Sequence, residues 1–202
     1  MAKLKVSERE KIITGAIDYI EEHGMGALTV RGVAKKAGVN IAAINYYFGS
    51  KEGLIREVLE CTIGLADSEW LKVLEEGGED PRLLLKEFMN LCLSDMVKSP
   101  GMTKAYFYES FVKQDHSGEY FKHLSAFLLK LRERVEALVG KDKEQLQLLI
   151  MQMTSAVIFP AMFPEFYKGF AKYDFKKKGS QDKYIEHLTG CFFRELERKV
   201  KI

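Results

Sequence analysis

The chain has 202 residues, of which 47% are apolar and 30% charged, with a formal net charge of +2. That length holds one sizeable domain or a small module joined to a larger one, and this balance excludes a disordered chain. Total charge names no partner, but residues 1–51 carry eight Lys or Arg against five Asp or Glu, while the remainder lies within one charge of neutrality.

Strand signals are scarce and helical periodicity is nearly continuous, which predicts an all-α protein of about nine helices. Ser7 with Glu10 three residues on reads as a capping box. The first helix then sets Ile12, Ile13, Ala16, Ile17 and Ile20 on one face and ends at Gly24–Gly26. Thr29 caps a short second helix with Val30, Val33, Ala34 and Ala37 along one stripe. Gly38 makes the sharp turn that follows, and Asn40 caps a third helix running to Phe48. Gly49 and Ser50 close that helix and open a long fourth, from Lys51 to about Glu75. Asp80-Pro81 and Ser99-Pro100 each pair a capping residue with a proline at the first helical position. Further helices are expected near 81–98, 101–113, 118–139, 143–168 and 181–200, with Pro160 and Pro164 kinking or shortening the penultimate one. The uncharged run from Gln145 to Pro164 approaches the length of a membrane span. Its glutamines, Thr154, Ser155 and two prolines favour a helix buried by protein, with no membrane partner.

The first three helices form a small head over residues 1–50, ahead of a larger helical domain over 51–202. Helices as short as the second and third are marginal alone and must be held by tertiary contacts. With Val39, Ile44 and Phe48 turned to the isoleucine stripe of the first helix, Ile41, Ala42, Asn45 and Tyr46 face outward. Small residues there permit close approach to a major groove, Asn hydrogen-bonds base edges, and apolar side chains touch thymine methyls. Tyr hydroxyls, Thr29, the amides at the start of the second helix and Lys51 suit phosphate oxygens. This is the pattern of a helix-turn-helix that reads double-stranded DNA.

In the larger domain, Trp70, Phe88, Met96, Tyr106, Phe107, Tyr108, Phe111, Phe127, Met151 and Phe159 are either bundle core or the lining of a pocket for a small apolar or aromatic ligand. Cys61, Cys92 and Cys191 stand far apart with no metal spacing, which predicts buried thiols in a reducing cytoplasm. The polar start from Met1 to Lys11 has no signal-peptide pattern. His116, Glu119 and His123 fall on one helix face at i, i+3 and i+7. That spacing suits a metal or, more simply, a pH-sensitive surface, and no metal or cofactor is expected. The Lys176–Lys178 run reads as a solvated loop. No Ser-His-Asp spacing or glycine-rich phosphate loop argues for an enzyme, and nothing orients Glu109, Asp115 and His116 as an acid–base set. A helical adaptor that no longer reads sequence is the other alternative.

The ordered run from Thr29 to Leu54, ending Ile44-Asn45-Tyr46-Tyr47-Phe48-Gly49-Ser50-Lys51-Glu52-Gly53-Leu54, resembles the tetracycline-repressor (TetR) family over about the first quarter of the chain. The resemblance implies an all-helical homodimer with a variable ligand domain, acting as a ligand-responsive repressor on a palindromic operator. It also implies that Ile41, Ala42, Asn45 and Tyr46 approach bases, and that Thr29, Arg31, Tyr47 and Lys51 approach the DNA backbone. Asn45 departs from the family, which usually carries Tyr there, so Asn45 is read as a base contact rather than a phosphate contact. By the same resemblance the last two helices pair across a twofold axis, with Leu146, Leu149, Ile150, Met153, Val157, Tyr184, Leu188, Cys191 and Phe192 at the interface.

Overall fold

A computed structural model describes residues 7–112, 114 and 118–197. In chain order the helices are α1 (Glu8–His23), α2 (Val30–Ala37), α3 (Ile41–Phe48), α4 (Lys51–Glu76), α5 (Pro81–Lys98), α6 (Pro100–Val112), α7 (Glu119–Val139), α8 (Lys143–Met162), α9 (Pro164–Ala171) and α10 (Lys178–Glu197). A single 3-10 turn, Met25–Ala27, joins α1 to the segment before α2, and the described residues contain no strand. The fold class is all-α, as expected, with one helix more than the periodicity suggests. The extra helix arises at Pro164. Pro160 is accommodated inside α8, but Phe163 leaves helical geometry and Pro164 restarts the chain as the first residue of α9. Proline lacks the N–H that a first-turn position would leave unpaired in any case, so it begins a helix at little cost.

Two compact units emerge, and neither is continuous in sequence. One gathers Met1–Leu65 with Ser99–Phe121, and the other Ala66–Lys98 with Lys122–Ile202.

In the first unit, local chemistry sets each helix start. The Ser7 hydroxyl accepts from the Glu10 N–H at 3.2 Å, and the Glu10 carboxylate accepts from the Ser7 N–H at 2.8 Å. Those bonds from Ser7 hold the Glu10 carboxyl below its ordinary pKa. The Thr29 hydroxyl accepts from the Gly32 N–H at 3.0 Å, and the Asn40 side chain accepts from the Ala42 N–H at 2.9 Å. Gly38 ends α2 at φ +67°, a left-handed turn that other residues adopt at a cost. The core is Ile12, Ile13, Ala16, Ile20, Leu28, Val33, Ala34, Ile44, Phe48, Leu54 and Val58, with Met102 and Ala105 supplied by α6. Helix α1 crosses α2 closely at Gly15, where a Cβ would lie 2.8 Å from that of Ala37.

The inclusion of α6 in this unit has no local sequence signal. The Glu21 carboxylate, on α1, accepts from the Gly101 N–H at 2.9 Å and the Met102 N–H at 2.8 Å. It thereby satisfies two of the amides that an α-helix leaves open at its N-terminus, and its negative charge sits at the positive end of the helix dipole.

In the second unit α5 packs on α8 and α10. Trp70, Phe88 and Phe127 form its aromatic centre, with ring centroids 4.7–6.1 Å apart. By length and composition α8 is apolar enough to cross a membrane. It nevertheless buries Leu146, Leu149, Ile150, Met153 and Val157 within the unit. The expectation of three buried thiols is corrected. Only the Cys92 thiol is well covered, and burial pushes its pKa up, whereas Cys61 and Cys191 are exposed. Both lie on helix faces turned from the packed stripes, which the spacing of three isolated cysteines does not reveal.

Replacing Glu21 with Ala leaves two part-buried amides without their charged acceptor. The expected loss is roughly 1–3 kcal/mol of unfolding free energy, measured by urea titration. An unchanged midpoint would show that the cap contributes nothing.

Candidate nucleic-acid interface

Helix α3 has eight residues and buries two of them, Ile44 (0% exposed) and Phe48 (8%). These sit one turn apart on a single edge and pack against the α1 core. Val39 and Ala43 cover the flank, half-buried. The opposite side carries Ile41, Ala42, Asn45 and Tyr46, all exposed, with Tyr46 at 82%. The Tyr46 ring meets Tyr47 edge-on at 5.0 Å, and Tyr47 in turn lies 6.3 Å from Phe48. The exposed aromatic is thereby propped by a ladder that ends in the core.

The remaining expected contacts, beyond Tyr47, lie at the starts of α2 and α4, the helices on either side of α3 in sequence. Thr29 spends its hydroxyl on capping α2, and Arg31 is exposed on the first turn of that helix. Lys51 is half-buried at the start of α4, where the Ser50 hydroxyl accepts from the Gly53 N–H at 3.0 Å. Cation pairing sorts the basic residues further. Arg9 is paired with Glu57, and Lys36 with Glu22. The Glu22–Lys36 hydrogen bond lowers the carboxyl pKa and raises that of the ammonium. Arg31, Lys35 and Lys51 have no ion-pair partner among the described residues. Lys35 lies four residues from Arg31 on α2, a spacing that sets both on one face.

The ten residues expected around a ligand are divided between the two units. Tyr106 stacks on Tyr120 at 4.8 Å, and Phe107 meets Tyr120 and Phe121 edge-on, all in the first unit. Tyr108 also packs against the head core there. Trp70, Phe88, Phe127 and Met96 belong to the second unit, and the first three fill its interior against one another. Phe111, Met151 and Phe159 are exposed, which corrects the expectation that they line an enclosed space. For Met151 and Phe159 the cause is helical rotation, since the buried stripe of α8 runs through Leu149, Ile150, Met153 and Val157 instead.

The residues expected at a twofold interface differ in their exposure. Leu146, Leu149, Ile150, Met153, Val157 and Phe192 are buried within their own chain. Tyr184 is half-buried, donates its hydroxyl to the Ala156 carbonyl at 2.7 Å, and is pushed up to about 12 in pKa by burial and by Tyr167. Leu188 is half-buried and Cys191 exposed. Together with Leu148, Gln152 and Ala156 these last residues edge an open groove of about 580 Å³ between α8 and α10, floored by Leu149, Met153 and Phe192.

Of the face formed by His116, Glu119 and His123, His116 lies outside the described residues, as does Asp115. His123 pairs with Asp67 at 3.0 Å, and the described residues contain no group of three metal-ligating side chains. In the lysine run, Lys176 pairs with Glu165 and Lys178 begins α10 paired with Asp182.

Comparison with known proteins follows the same division. Residues 12–58 match the model for bacterial regulatory proteins of the tetR family. The HTH-type transcriptional regulator BetI of Stenotrophomonas maltophilia is 30% identical over 82 residues, 41% of this chain and 42% of that protein. The chain therefore spans less than half of this relative. The nucleoid occlusion factor SlmA of Marinobacter nauticus is 26% identical over 135 residues, 67% of this chain and 68% of that protein. Among solved structures, the transcriptional regulator FadR of Bacillus subtilis in complex with stearoyl-CoA superposes with a TM-score of 0.62 at 16% identity, over 89% of this chain and 96% of that one. At that identity the likeness is one of fold. The likeness to the tetR family of bacterial regulatory proteins rests on residues 12–58, the segment that holds α3 against α1.

Proposed function

We propose that the protein is a homodimeric repressor that reads a palindromic operator through α3 and responds to a small apolar or aromatic ligand. The observation that carries this reading is the outward side of α3. A short helix that buries only Ile44 and Phe48 exposes Ile41, Ala42, Asn45 and Tyr46 together, and Arg31, Lys35 and Lys51 on the neighbouring helices α2 and α4 carry no ion-pair partner among the described residues. Folding alone gives no reason to expose those apolar side chains, whereas a major groove supplies methyl groups, base edges and phosphates for all of them. The aromatic content of the second unit and the fatty-acyl ligand of the FadR relative support an apolar effector. Helix α4 begins in the first unit and ends in the second, so it is the covalent route by which a ligand would shift the population of DNA-competent dimers. The protein works in the cytoplasm and carries no catalytic residues in this reading.

A second reading keeps DNA binding but not a transcriptional output. It is supported by the likeness to a nucleoid occlusion factor, the relative matched here over the larger share of the chain.

Selection from a random duplex pool, followed by gel shifts, tests both. The repressor reading expects a palindrome with half-sites about one helical turn apart, ~34–36 Å. Asn45→Ala should cost roughly 1–3 kcal/mol and relax preference at one base pair in each half-site. Lys51→Ala should weaken binding to all sequences alike and flatten the dependence of log K on log salt, by about one unit of slope per site. Failure to enrich any sequence would refute sequence-specific reading. A selected site far from any promoter, with no effect on expression of neighbouring genes, would favour the second reading.

A further inference from the structure

A second open groove, of about 580 Å³, lies in the unit that holds α5 and α10. Ser94, Val97 and Lys98 line it from the end of α5, and Lys176, Lys178 and Gln181 from the start of α10 and the residues just before it. That volume falls among those of small-molecule sites, ~300–1,000 Å³. Of the six lining side chains, Lys98, Lys176 and Lys178 are cationic and none is acidic. Their carboxylate partners stand outside the lining: Lys98 reaches Asp95 at 3.7 Å, Lys176 reaches Glu165 at 2.9 Å and Lys178 reaches Asp182 at 3.0 Å. Both members of each pair are exposed, so water screens them and a multivalent anion readily takes the place of the carboxylate. Burial and Glu69 push the Asp95 carboxyl up in pKa, which loosens the longest of the three pairs further. Lys177, between two lining residues, has no ion-pair partner among the described residues, so this wall keeps an excess of positive charge. The positive end of the α10 dipole adds to it at Lys178.

Gln181 presents a different need. It is 5% exposed, and its Nε2 donates to the Phe175 carbonyl at 2.7 Å. That bond fixes which way the amide points and leaves Oε1 buried without a donor. A buried acceptor with no donor is unfavourable and uncommon in folded proteins, and it marks a place where a further group binds. The lysines call for an anion, and Gln181 calls for a hydroxyl or N–H on the same molecule. None of the six lining side chains is aromatic, so a nucleobase would find no ring to stack on. A phosphorylated sugar supplies the anion and the hydroxyl with no base to place.

We propose that this groove binds a phosphorylated sugar, with the phosphate on Lys98, Lys176 and Lys178 and a hydroxyl donating to Gln181. The bound molecule ties the end of α5 to the start of α10. The site lies within one compact unit and stands independently of how α3 reads DNA.

Isothermal titration calorimetry on the full chain at fixed ionic strength tests it, with circular dichroism to check folding. The probes are glucose 6-phosphate, inorganic phosphate, glucose and adenosine monophosphate. Glucose 6-phosphate should bind saturably and about fivefold more tightly than inorganic phosphate, as one added hydrogen bond gives. Glucose alone should not bind. Lys176→Ala/Lys178→Ala, at two exposed positions, should keep the helical spectrum and weaken glucose 6-phosphate at least about tenfold. Gln181→Met should lower glucose 6-phosphate to the affinity of inorganic phosphate. If that variant loses its helical spectrum, the comparison of the two phosphates on the wild-type chain decides. No saturable heat with glucose 6-phosphate, or a lysine variant that binds it unchanged, overturns the proposal. Equal affinity of the wild-type chain for both phosphates reduces the groove to a simple anion patch and overturns it too. Adenosine monophosphate binding more tightly than glucose 6-phosphate assigns the groove to a nucleotide and overturns the sugar.

Discussion

The contact between α3 and α1 is the constraint on which the candidate interface depends. An eight-residue helix has too few internal hydrogen bonds to offset the cost of nucleating it. Two side chains, Ile44 and Phe48, fix α3 by entering the apolar cluster formed by Ile12, Ala16, Ile20 and Val33. Anchoring through one edge sets the rotation of the helix about its axis and therefore determines what the other edge presents. Substituting either anchor would release the helix and scatter Ala42, Asn45 and Tyr46 together, whereas substituting an outward residue leaves the scaffold intact. Structure and recognition are thus carried by different residues of the same two turns.

That scaffold is larger than a three-helix head. The first part of α4 closes it with Leu54 and Val58, and α6 adds Met102 and Ala105 to the same core. The Glu21 carboxylate ties the start of α6 to α1. The compact unit that bears α3 therefore draws on chain segments some eighty residues apart. A change at α6 would be felt by α1 through a charged hydrogen bond and a shared core, and by α3 through the isoleucines it rests on.

The parts of this arrangement that were legible in the sequence are those set by neighbours along the chain. Ser7, Thr29 and Asn40 each occupy an N-cap because their side chains reach amides two or three residues ahead, and Gly38 turns the chain because it lacks a Cβ. The outward side of α3 follows from the same periodicity once Ile44 and Phe48 are taken as anchors. Two other features were hidden for physical reasons. Glu21 caps a helix whose start lies 80 residues away, and nothing around Glu21 announces it. On α8 apolar residues occupy every face, so periodicity cannot tell Leu146 and Met153, buried in the chain, from Leu148 and Met151, which are not. The exposed thiol of Cys61 and the helix that restarts at Pro164 are hidden for the related reason that burial and helix restart are settled by tertiary packing.

The central claim is that the outward side of α3 enters a DNA groove, and cleavage by a tethered iron chelate tests it most directly. A Tyr46→Cys protein with Cys61 and Cys191 replaced by Ser, loaded with iron-EDTA and bound to its selected duplex, should cut at two short clusters. Those clusters should be separated by about one helical turn and lie on one face of the DNA. Cleavage spread evenly along the duplex, or none above that of free chelate while the protein remains bound, would contradict the account.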